Sequence, residues 1–284
     1  MKQIYTALIT PFDKQGKVDF IGLENVLDKL IQEGQEGFVI CGTTGEASTL
    51  SLEEKEQILD FVIRKAEDCS IIMGISGNDT TKVLKQLNYF ENKDIEAFMI
   101  VVPYYNKPSQ TGLFQHFDLL LKNTKKAVII YNVPSRCGVE ISFDTLSQLL
   151  KKHSNLIGMK HASQNYGLIN QLKNKYRDFI ILSGEDGSLK DGLDHRIDGV
   201  ISVCSHIIYP QMNQFIKDYK QGKDISSQDL FIKEFAYYNF KESSPGPIKY
   251  MLYQCGLIEN VLRLPMCPIS KSLEKKLQCL YNNI

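Results

Sequence analysis

Hydrophobic and polar positions alternate along the chain in two patterns, one of short apolar runs and one of longer stretches with helical spacing. The clearest helical stretch is 51–67, in which Ser51 precedes two glutamates and apolar residues recur three and four positions apart. A second stretch, 111–124, places its leucines and phenylalanines on one face. The short runs are rich in β-branched residues and predict eight strands of six or seven residues, at 4–10, 37–42, 70–76, 97–103, 127–133, 156–162, 179–185 and 199–204.

Eight strands, each followed by a helical stretch, predict a (β/α)8 TIM barrel, for which 284 residues is an ordinary length. An open, doubly wound sheet usually has fewer strands and carries a glycine fingerprint after the first of them. Here the first strand continues directly into Thr10-Pro11-Phe12. The alternation stops after about residue 222. We therefore predict a catalytic barrel over 1–222 and a C-terminal helical region over 223–284.

Charge and cysteine content narrow the class of protein. The chain has 33 basic and 33 acidic residues, so its zero net charge argues against nucleic acid or an anionic membrane as the main partner. The seven cysteines are odd in number and scattered, which is typical of reduced, mostly buried thiols. No apolar run approaches the about 20 residues of a membrane helix, and the N-terminus enters a strand without a signal core. These features predict a cytosolic protein.

Lys160 is the residue on which the chemical interpretation depends. In barrels of this kind, active sites lie at the carboxyl ends of the strands, and Lys160 follows an apolar run in the sixth. Burial lowers the pKa of a lysine, and a neutral amine is the nucleophile that forms an imine with a ketone. The alternative is a structural lysine that pairs with a carboxylate such as Glu46 or Glu185.

Other polar residues follow neighbouring strands. Tyr131 and Tyr105 suit proton transfer, but each could also be a core aromatic residue with a satisfied hydroxyl. Thr43 and Thr44 form a turn that suits a small anion or, alternatively, caps the next helix. Arg136 suits a carboxylate clamp or a surface salt bridge. Together with Lys160, these residue types indicate imine chemistry on a keto acid.

The loop after the seventh strand bears on the substrate. Many barrels bind a phosphate in the loops after strands seven and eight. Here that loop carries Glu185 and Asp186, which would repel a phosphate. The sequence therefore favours a carboxylate or a neutral carbonyl compound over a sugar phosphate.

Five segments resemble the dihydrodipicolinate synthase family, which belongs to the pyruvate lyase superfamily that includes N-acetylneuraminate lyase. They are 43–46 (TTGE), 103–108 (PYYNKP), 131–138 (YNVPSRCG), 158–160 (GMK) and 262–265 (LRLP). The likeness extends over essentially the whole chain in the expected order. It implies condensation of pyruvate with L-aspartate 4-semialdehyde to 4-hydroxy-tetrahydrodipicolinate, on the diaminopimelate route to lysine, without a metal or an organic cofactor.

The resemblance also implies a role for each site residue. Lys160 forms the Schiff base with pyruvate, and a proton relay connects Tyr131 through Thr43 to Tyr105, which reaches in from the neighbouring subunit. The residues that bind substrate are Thr44 on the pyruvate carboxylate, Arg136 on the semialdehyde carboxylate, and Gly184 and Ile201 in the pyruvate pocket. The family likeness predicts a homotetramer built as a dimer of dimers.

Three positions depart from the family pattern. His161 stands where the family usually has Glu, His206 stands where Asn is common, and 244–247 reads SPGP in place of NPIP. Two cations, Lys55 and Lys82, occupy positions where lysine-sensitive relatives offer His or Glu. Because like charges repel, we predict that lysine inhibits this protein weakly or not at all.

Two alternative functions remain open at this point. A sister aldolase that cleaves N-acetylneuraminate or a 2-keto-3-deoxy sugar acid would use the same lysine and tyrosine, but it usually lacks an arginine at the position of Arg136. A non-catalytic paralogue would be expected to have lost Lys160, Tyr131 or Thr43, and all three are present.

Overall fold

Eight parallel strands form the barrel in the computed structural model, which describes residues 1–281. They follow the closed order β1 to β8, and this confirms the predicted (β/α)8 TIM barrel. The strands are β1 (Ile4–Ala7), β2 (Gly37–Ile40), β3 (Ser70–Ile75), β4 (Ala97–Val101), β5 (Ala127–Asn132), β6 (Leu156–His161), β7 (Ile180–Ser183) and β8 (Gly199–Ser202).

Every predicted strand is present, but each ends one to three residues earlier than its apolar run. The first run was predicted to reach residue 10, whereas β1 ends at Ala7. Thr10 instead turns its hydroxyl to the carbonyl of Gly45, at 2.7 Å. The last apolar residues of these runs therefore belong to the loops that follow the strands.

Helices lie between the strands and after them. They are α1 (Phe20–Gln32), α2 (Leu52–Lys65), α3 (Thr80–Phe90), α4 (Gln110–Lys122), α5 (Pro134–Cys137), α6 (Phe143–Lys152), α7 (Tyr166–Lys175), α8 (Leu189–Asp194), α9 (Ser205–Lys220), α10 (Ser226–Asn239), α11 (Gly246–Gln254) and α12 (Lys271–Tyr281). The two helices predicted from periodicity are confirmed as α2 and α4. At the start of α2 the Ser51 hydroxyl accepts the N–H of Glu54, and the Glu54 carboxylate accepts the N–H of Ser51, which completes a capping box.

The chain divides into two compact units. The central unit comprises residues 70–185 and 190–201, with strands β3 to β7 and most of β8. Its strands are parallel, so the loops after them lie at one end of the unit. Both faces of these strands are buried, as the fully buried Phe98, Ile129 and Ile181 show.

The terminal unit comprises residues 2–69, 186–189 and those from 202 onward. It contains β1 and β2, paired in register at Thr6 and Phe38, together with α1, α2 and α9 to α12. Three of these helices, α10 to α12, lie in the predicted C-terminal helical region, and the domain boundary at 222 stays a prediction. Over residues 1–281, no helix is both long enough and apolar enough to cross a membrane.

Candidate active site

Lys160 is the penultimate residue of β6, and its side chain is buried. In the sheet it lies between Tyr131 of β5 and Leu182 of β7. Its Nζ lies 4.4 Å from the centroid of the Tyr131 ring, which is within the range of a cation–π contact. The two residues that the sequence paired for imine chemistry are therefore adjacent at the carboxyl end of neighbouring strands.

Gly184 gives the Lys160 side chain its room. A Cβ atom at Gly184 would lie 2.9 Å from Lys160 Cε and 2.8 Å from the Cβ of Ala162, which is closer than real Cβ contacts allow. The Gly184 N–H is already used, because it donates to the carbonyl of His161 at 2.9 Å. Glycine at this position is therefore required by the lysine beside it, and its part in a pyruvate pocket stays a prediction. Ile201 is buried in β8, in the same unit.

Tyr105 is highly exposed in the single chain, with 88% of its surface accessible. It follows β4 and has a φ of 73°, in the left-handed region that a bulky residue rarely adopts. The loop is held by Asn106, whose side-chain amide donates to the carbonyl of Asn78 at 2.9 Å. A fixed loop thus presents an exposed aromatic side chain, which is the arrangement expected if Tyr105 acts across a subunit interface.

Arg136 lies in the one-turn helix α5, and its side chain is exposed. Among the described residues the guanidinium has no hydrogen bond or ion pair, so the alternative of a surface salt bridge is wrong for the single chain. The helix is held from below by Cys137, whose thiol donates to the carbonyl of Val102 at 3.1 Å. The arginine is therefore available to a ligand.

His161 points away from Lys160, because successive residues of a strand face opposite sides. It is buried, and its Nδ1 lies 3.1 Å from the side-chain amide of Asn132. The same Asn132 amide donates to Glu140 at 3.3 Å, and Asn165 donates to the other oxygen of Glu140 at 2.9 Å. Burial lowers the pKa of His161, with Glu140 opposing the shift. This departure from the family pattern is thus a neutral residue that packs behind the strand.

The threonine turn, residues 42–45, lies in the terminal unit. It is bounded by two residues with left-handed backbone, Cys41 with φ 52° and Glu46 with φ 50°. Thr44 is buried and Thr43 is exposed, and neither hydroxyl has a hydrogen-bond partner within residues 1–281. The alternative that these hydroxyls cap the next helix is wrong, because Ser51 caps α2. Both hydroxyls are available to a ligand.

The carboxylate of Glu46, offered as a structural partner for Lys160, is bonded elsewhere. Lys249 donates to one of its oxygens, and the N–H of Arg263 donates to the other at 3.0 Å. Lys249 is wholly buried in α11. Sequence reasoning missed it, although a lysine between Ile248 and Tyr250 in an apolar stretch was a visible signal.

Asp186 does not form the acidic face that the sequence suggested. It is 1% exposed, and its Oδ2 accepts the N–H groups of Val203 and Cys204 at 2.9 and 3.0 Å. A carboxylate that accepts two backbone N–H groups is stable when buried, and this removes its charge from the surface of the loop. The interpretation of the loop as a repulsive pair of carboxylates was therefore wrong for Asp186.

The two cations implicated in the lysine response differ in their surroundings. Lys55 of α2 is buried, and burial lowers its pKa, with Cys41 nearby. Lys82 of α3 is exposed. Lys55 therefore does not point to solvent, and the effect of lysine itself stays a prediction. No group of three or more His, Cys, Asp or Glu within residues 1–281 could hold a metal ion.

The chain is similar to known proteins in both sequence and structure. A model of the Dihydrodipicolinate synthetase family matches residues 1–283. The 4-hydroxy-tetrahydrodipicolinate synthase of Karelsulcia muelleri is 39% identical over 284 residues, which cover 98% of this chain and 96% of that protein.

Two solved structures share the fold over nearly their whole length. A dihydrodipicolinate synthase from Bacillus anthracis superposes with a TM-score of 0.95 at 32% identity, covering 99% of this chain and 98% of that one. A chloride-inhibited dihydrodipicolinate synthase from Acinetobacter baumannii, complexed with pyruvate, superposes with a TM-score of 0.92 at 32% identity, covering 99% and 97%.

Proposed function

This chain belongs to the dihydrodipicolinate synthetase family, and we propose that it is a 4-hydroxy-tetrahydrodipicolinate synthase that condenses pyruvate with L-aspartate 4-semialdehyde. The observation that carries the proposal is the geometry at the end of β6. There a buried lysine amine lies 4.4 Å from the centroid of the Tyr131 ring, and Gly184 leaves room at its Cε. The comparisons support the synthase over a sugar-acid aldolase, since the related sequence and structures are named as synthases.

The chemistry begins at Lys160. Its neutral Nζ attacks C2 of pyruvate, and loss of water leaves an imine that draws electrons from the adjacent methyl group. The methyl loses a proton, and the resulting enamine forms a carbon–carbon bond with the aldehyde carbon of the semialdehyde. The amine of the semialdehyde then attacks C2 and displaces Lys160, which closes the ring and restores the enzyme.

We assign the proton transfers to a relay of Tyr131, Thr43 and Tyr105. Imine formation and ring closure each require a proton transfer. A chain of hydroxyl groups can donate the proton and take it back. The support is the position of Tyr131 beside Lys160 and the unpaired hydroxyl of Thr43 among the described residues.

Substrate carboxylates are assigned to two places. Thr44 and the backbone of the threonine turn bind the carboxylate of pyruvate, supported by the free hydroxyl and by a turn whose N–H groups suit an anion. Arg136 binds the carboxylate of the semialdehyde, supported by its exposed and unpaired guanidinium. Gly184 and Ile201 line the pyruvate pocket.

The protein is proposed to work as a homo-oligomer, and a tetramer formed as a dimer of dimers is the form we expect. The support is Tyr105, which the single chain leaves almost fully exposed on a fixed loop. Mixing inactive Tyr105→Phe subunits with inactive Lys160→Ala subunits should restore activity, because one site of each mixed dimer is intact. Absence of complementation after confirmed subunit exchange would contradict a shared site. The cytosolic location also stays a prediction.

Product analysis tests the function directly. Pyruvate and aspartate semialdehyde should yield 4-hydroxy-tetrahydrodipicolinate, detected by mass spectrometry or by coupling to a reductase. N-acetylneuraminate and 2-keto-3-deoxy sugar acids should not be cleaved at a comparable rate. Preferential cleavage of a sugar acid would overturn the synthase in favour of the sister aldolase.

A further inference from the structure

A buried charge network lies directly after the threonine turn. Glu46, the first residue beyond the turn, is 4% exposed and has left-handed backbone. A non-glycine residue in that region is strained and persists only where its surroundings hold it. Its N–H donates to the carbonyl of Thr43 at 3.1 Å, so the conformation of Glu46 and that of the turn are coupled.

Lys249 holds one side of the Glu46 carboxylate. Its Nζ also donates to the carbonyl of Val261 at 3.0 Å and lies 4.3 Å from the centroid of the Phe12 ring. Burial lowers the pKa of Lys249 to about 8 although Glu46 opposes the shift. Burying two charges costs solvation that their attraction barely offsets, so such a pair is weak evidence for a gain in stability.

Arg263 closes the other side of the network. Its backbone N–H donates to Glu46, and its guanidinium donates to the carbonyls of Gly16 and Thr49, each at 2.8 Å. Two further bonds, at 2.6 and 2.8 Å, reach the carboxylate of Glu54, which also belongs to the capping box of α2. One arginine thus fixes the segments on both sides of Glu46 relative to each other.

We propose that Glu46, Lys249 and Arg263 are positioning residues for the threonine turn. They hold Glu46 in its left-handed conformation so that the Thr44 hydroxyl and the N–H groups of the turn face the pyruvate carboxylate. The inference rests on the proposed function, because it takes pyruvate as the ligand of the turn. On this assignment Glu46, Lys249 and Arg263 serve substrate binding. The alternative is that the three residues stabilise the fold as a whole.

The chain contains a matched pair for comparison. Lys173 of α7 is also buried, and it also donates to a backbone carbonyl, that of Phe179 at 2.9 Å, and to a carboxylate, that of Asp198 at 2.5 Å. Its two acceptors, Phe179 and Asp198, lie just before β7 and just before β8, at the amino ends of those strands. Its removal perturbs a buried lysine without touching a strand-end loop.

The experiment measures the pyruvate concentration that gives half-maximal borohydride trapping at Lys160, together with kcat and both KM values. We expect Lys249→Met to raise the half-saturating pyruvate concentration and the KM for pyruvate by at least about tenfold. The KM for the semialdehyde should change by less than about threefold, whereas kcat at saturating pyruvate should fall, because Thr43 of the same turn belongs to the proposed proton relay. Lys173→Met should leave both KM values unchanged.

A second variant separates a loss of pyruvate binding from a loss of folding. Glu46→Gln combined with Lys249→Met leaves no uncompensated buried charge, and it should show the same pyruvate defect while circular dichroism reports a folded chain. Normal pyruvate saturation in this folded double variant would overturn the proposal. So would a double variant that fails to fold at 25 °C while Lys173→Met folds, since the pair would then serve the whole fold.

Failure of the network proposal can be distinguished from failure of the proposed synthase activity. Trapping needs pyruvate alone, so a wild-type chain that forms the imine but makes no product with the semialdehyde would overturn the synthase and leave this inference standing. Loss of pyruvate affinity confined to the network variants supports it in either case.

Discussion

Lys160 and Lys249 are both buried lysines, and each lies over an aromatic ring, at 4.4 Å from Tyr131 and 4.3 Å from Phe12. They differ in their position and surroundings. The Lys160 side chain packs closely against Gly184 near the end of β6, whereas Lys249 is enclosed by Glu46, the carbonyl of Val261 and the Phe12 ring. Burial and an aromatic neighbour therefore do not identify a reactive lysine. The position of Lys160 at the carboxyl end of β6, where the active sites of such barrels lie, favours it as the reactive one.

The two lysines should differ most in their covalent reaction with pyruvate. Pyruvate with borohydride should add a stable three-carbon group to Lys160 and none to Lys249, as located by peptide mass spectrometry. Lys160→Ala should lower kcat/KM by at least about three orders of magnitude, which is about 4 kcal/mol of transition-state stabilisation. An adduct on Lys249, or no adduct at all, would show that the two lysines have been assigned the wrong roles.

Replacing Lys249 and replacing Lys173 should have different effects on the free energy of unfolding. Lys249→Met should lower the free energy of unfolding by about 3–5 kcal/mol, because it leaves Glu46 charged and buried without its partner. Lys173→Met should cost clearly less, because the Asp198 side chain is 42% exposed and water can solvate its charge. Urea titration at neutral pH measures both. Equal losses in the two variants would mean that burial of the carboxylate does not set the cost.

Two exposed arginines, Arg136 and Arg177, should differ in their effect on use of the semialdehyde. Arg136→Ala should weaken use of the semialdehyde by about 1.5–3 kcal/mol in kcat/KM, the contribution of a charge-assisted hydrogen bond, with imine formation intact. Arg177, which is also exposed but lies at the amino end of β7, serves as the control, and Arg177→Ala should change neither. Loss of imine formation in Arg136→Ala would show that its role is not confined to the second substrate.

A smaller effect is expected from buried His206 on acidification. Its Nδ1 donates to the carbonyl of Val203, its Nε2 accepts the N–H of Ile9, and burial lowers its pKa to about 4, with Lys29 adding to the shift. A lowered pKa means that the unfolded chain binds the proton first. The stability from neutral His206 is therefore complete above pH 6.5 and is lost as the pH falls from 6.5 towards 4.

At pH 5 this loss should be about 2 kcal/mol. His206→Asn, which restores the residue common in the family, should remove that part of the acid sensitivity while that of buried His116 remains, its pKa also being lowered to about 4. The measurement is the difference in unfolding free energy between pH 7.5 and pH 5. An unchanged difference in the variant would contradict the assignment.

The smallest effect is expected from free lysine. Lys55 and Lys82 occupy the positions where lysine-sensitive relatives offer His or Glu. Millimolar lysine should therefore leave the activity nearly unchanged, because like charges repel even where salt screens them. Lys55→Glu and Lys82→Glu, singly and together, test whether charge is the reason. Half-inhibition of the wild-type enzyme below 1 mM, an affinity of about 4 kcal/mol or better, would refute the prediction.

Several parts of the site could be read from residues close together in the chain. Lys160 and Tyr131 each end an apolar run, and parallel pairing of neighbouring strands brings them together. By contrast, the exact ends of the strands were overestimated, because an apolar residue such as Ile9 continues the pattern after the ladder has ended. Periodicity reports which face a residue occupies, and it does not report where the backbone leaves the sheet.

The sequence by itself determined the eight strands and the helices between them, and it singled out Lys160 as the candidate reactive lysine. Each of these depends on local spacing or on one unusual residue in an apolar run. Only the tertiary structure decided the partners of Glu46, which are 203 and 217 positions away at Lys249 and Arg263. The same holds for Asp186, whose carboxylate is held by backbone N–H groups of the next strand end. Such pairs form only after the chain has closed on itself, and the requirement that a buried charge find a partner does not state which partner it will be.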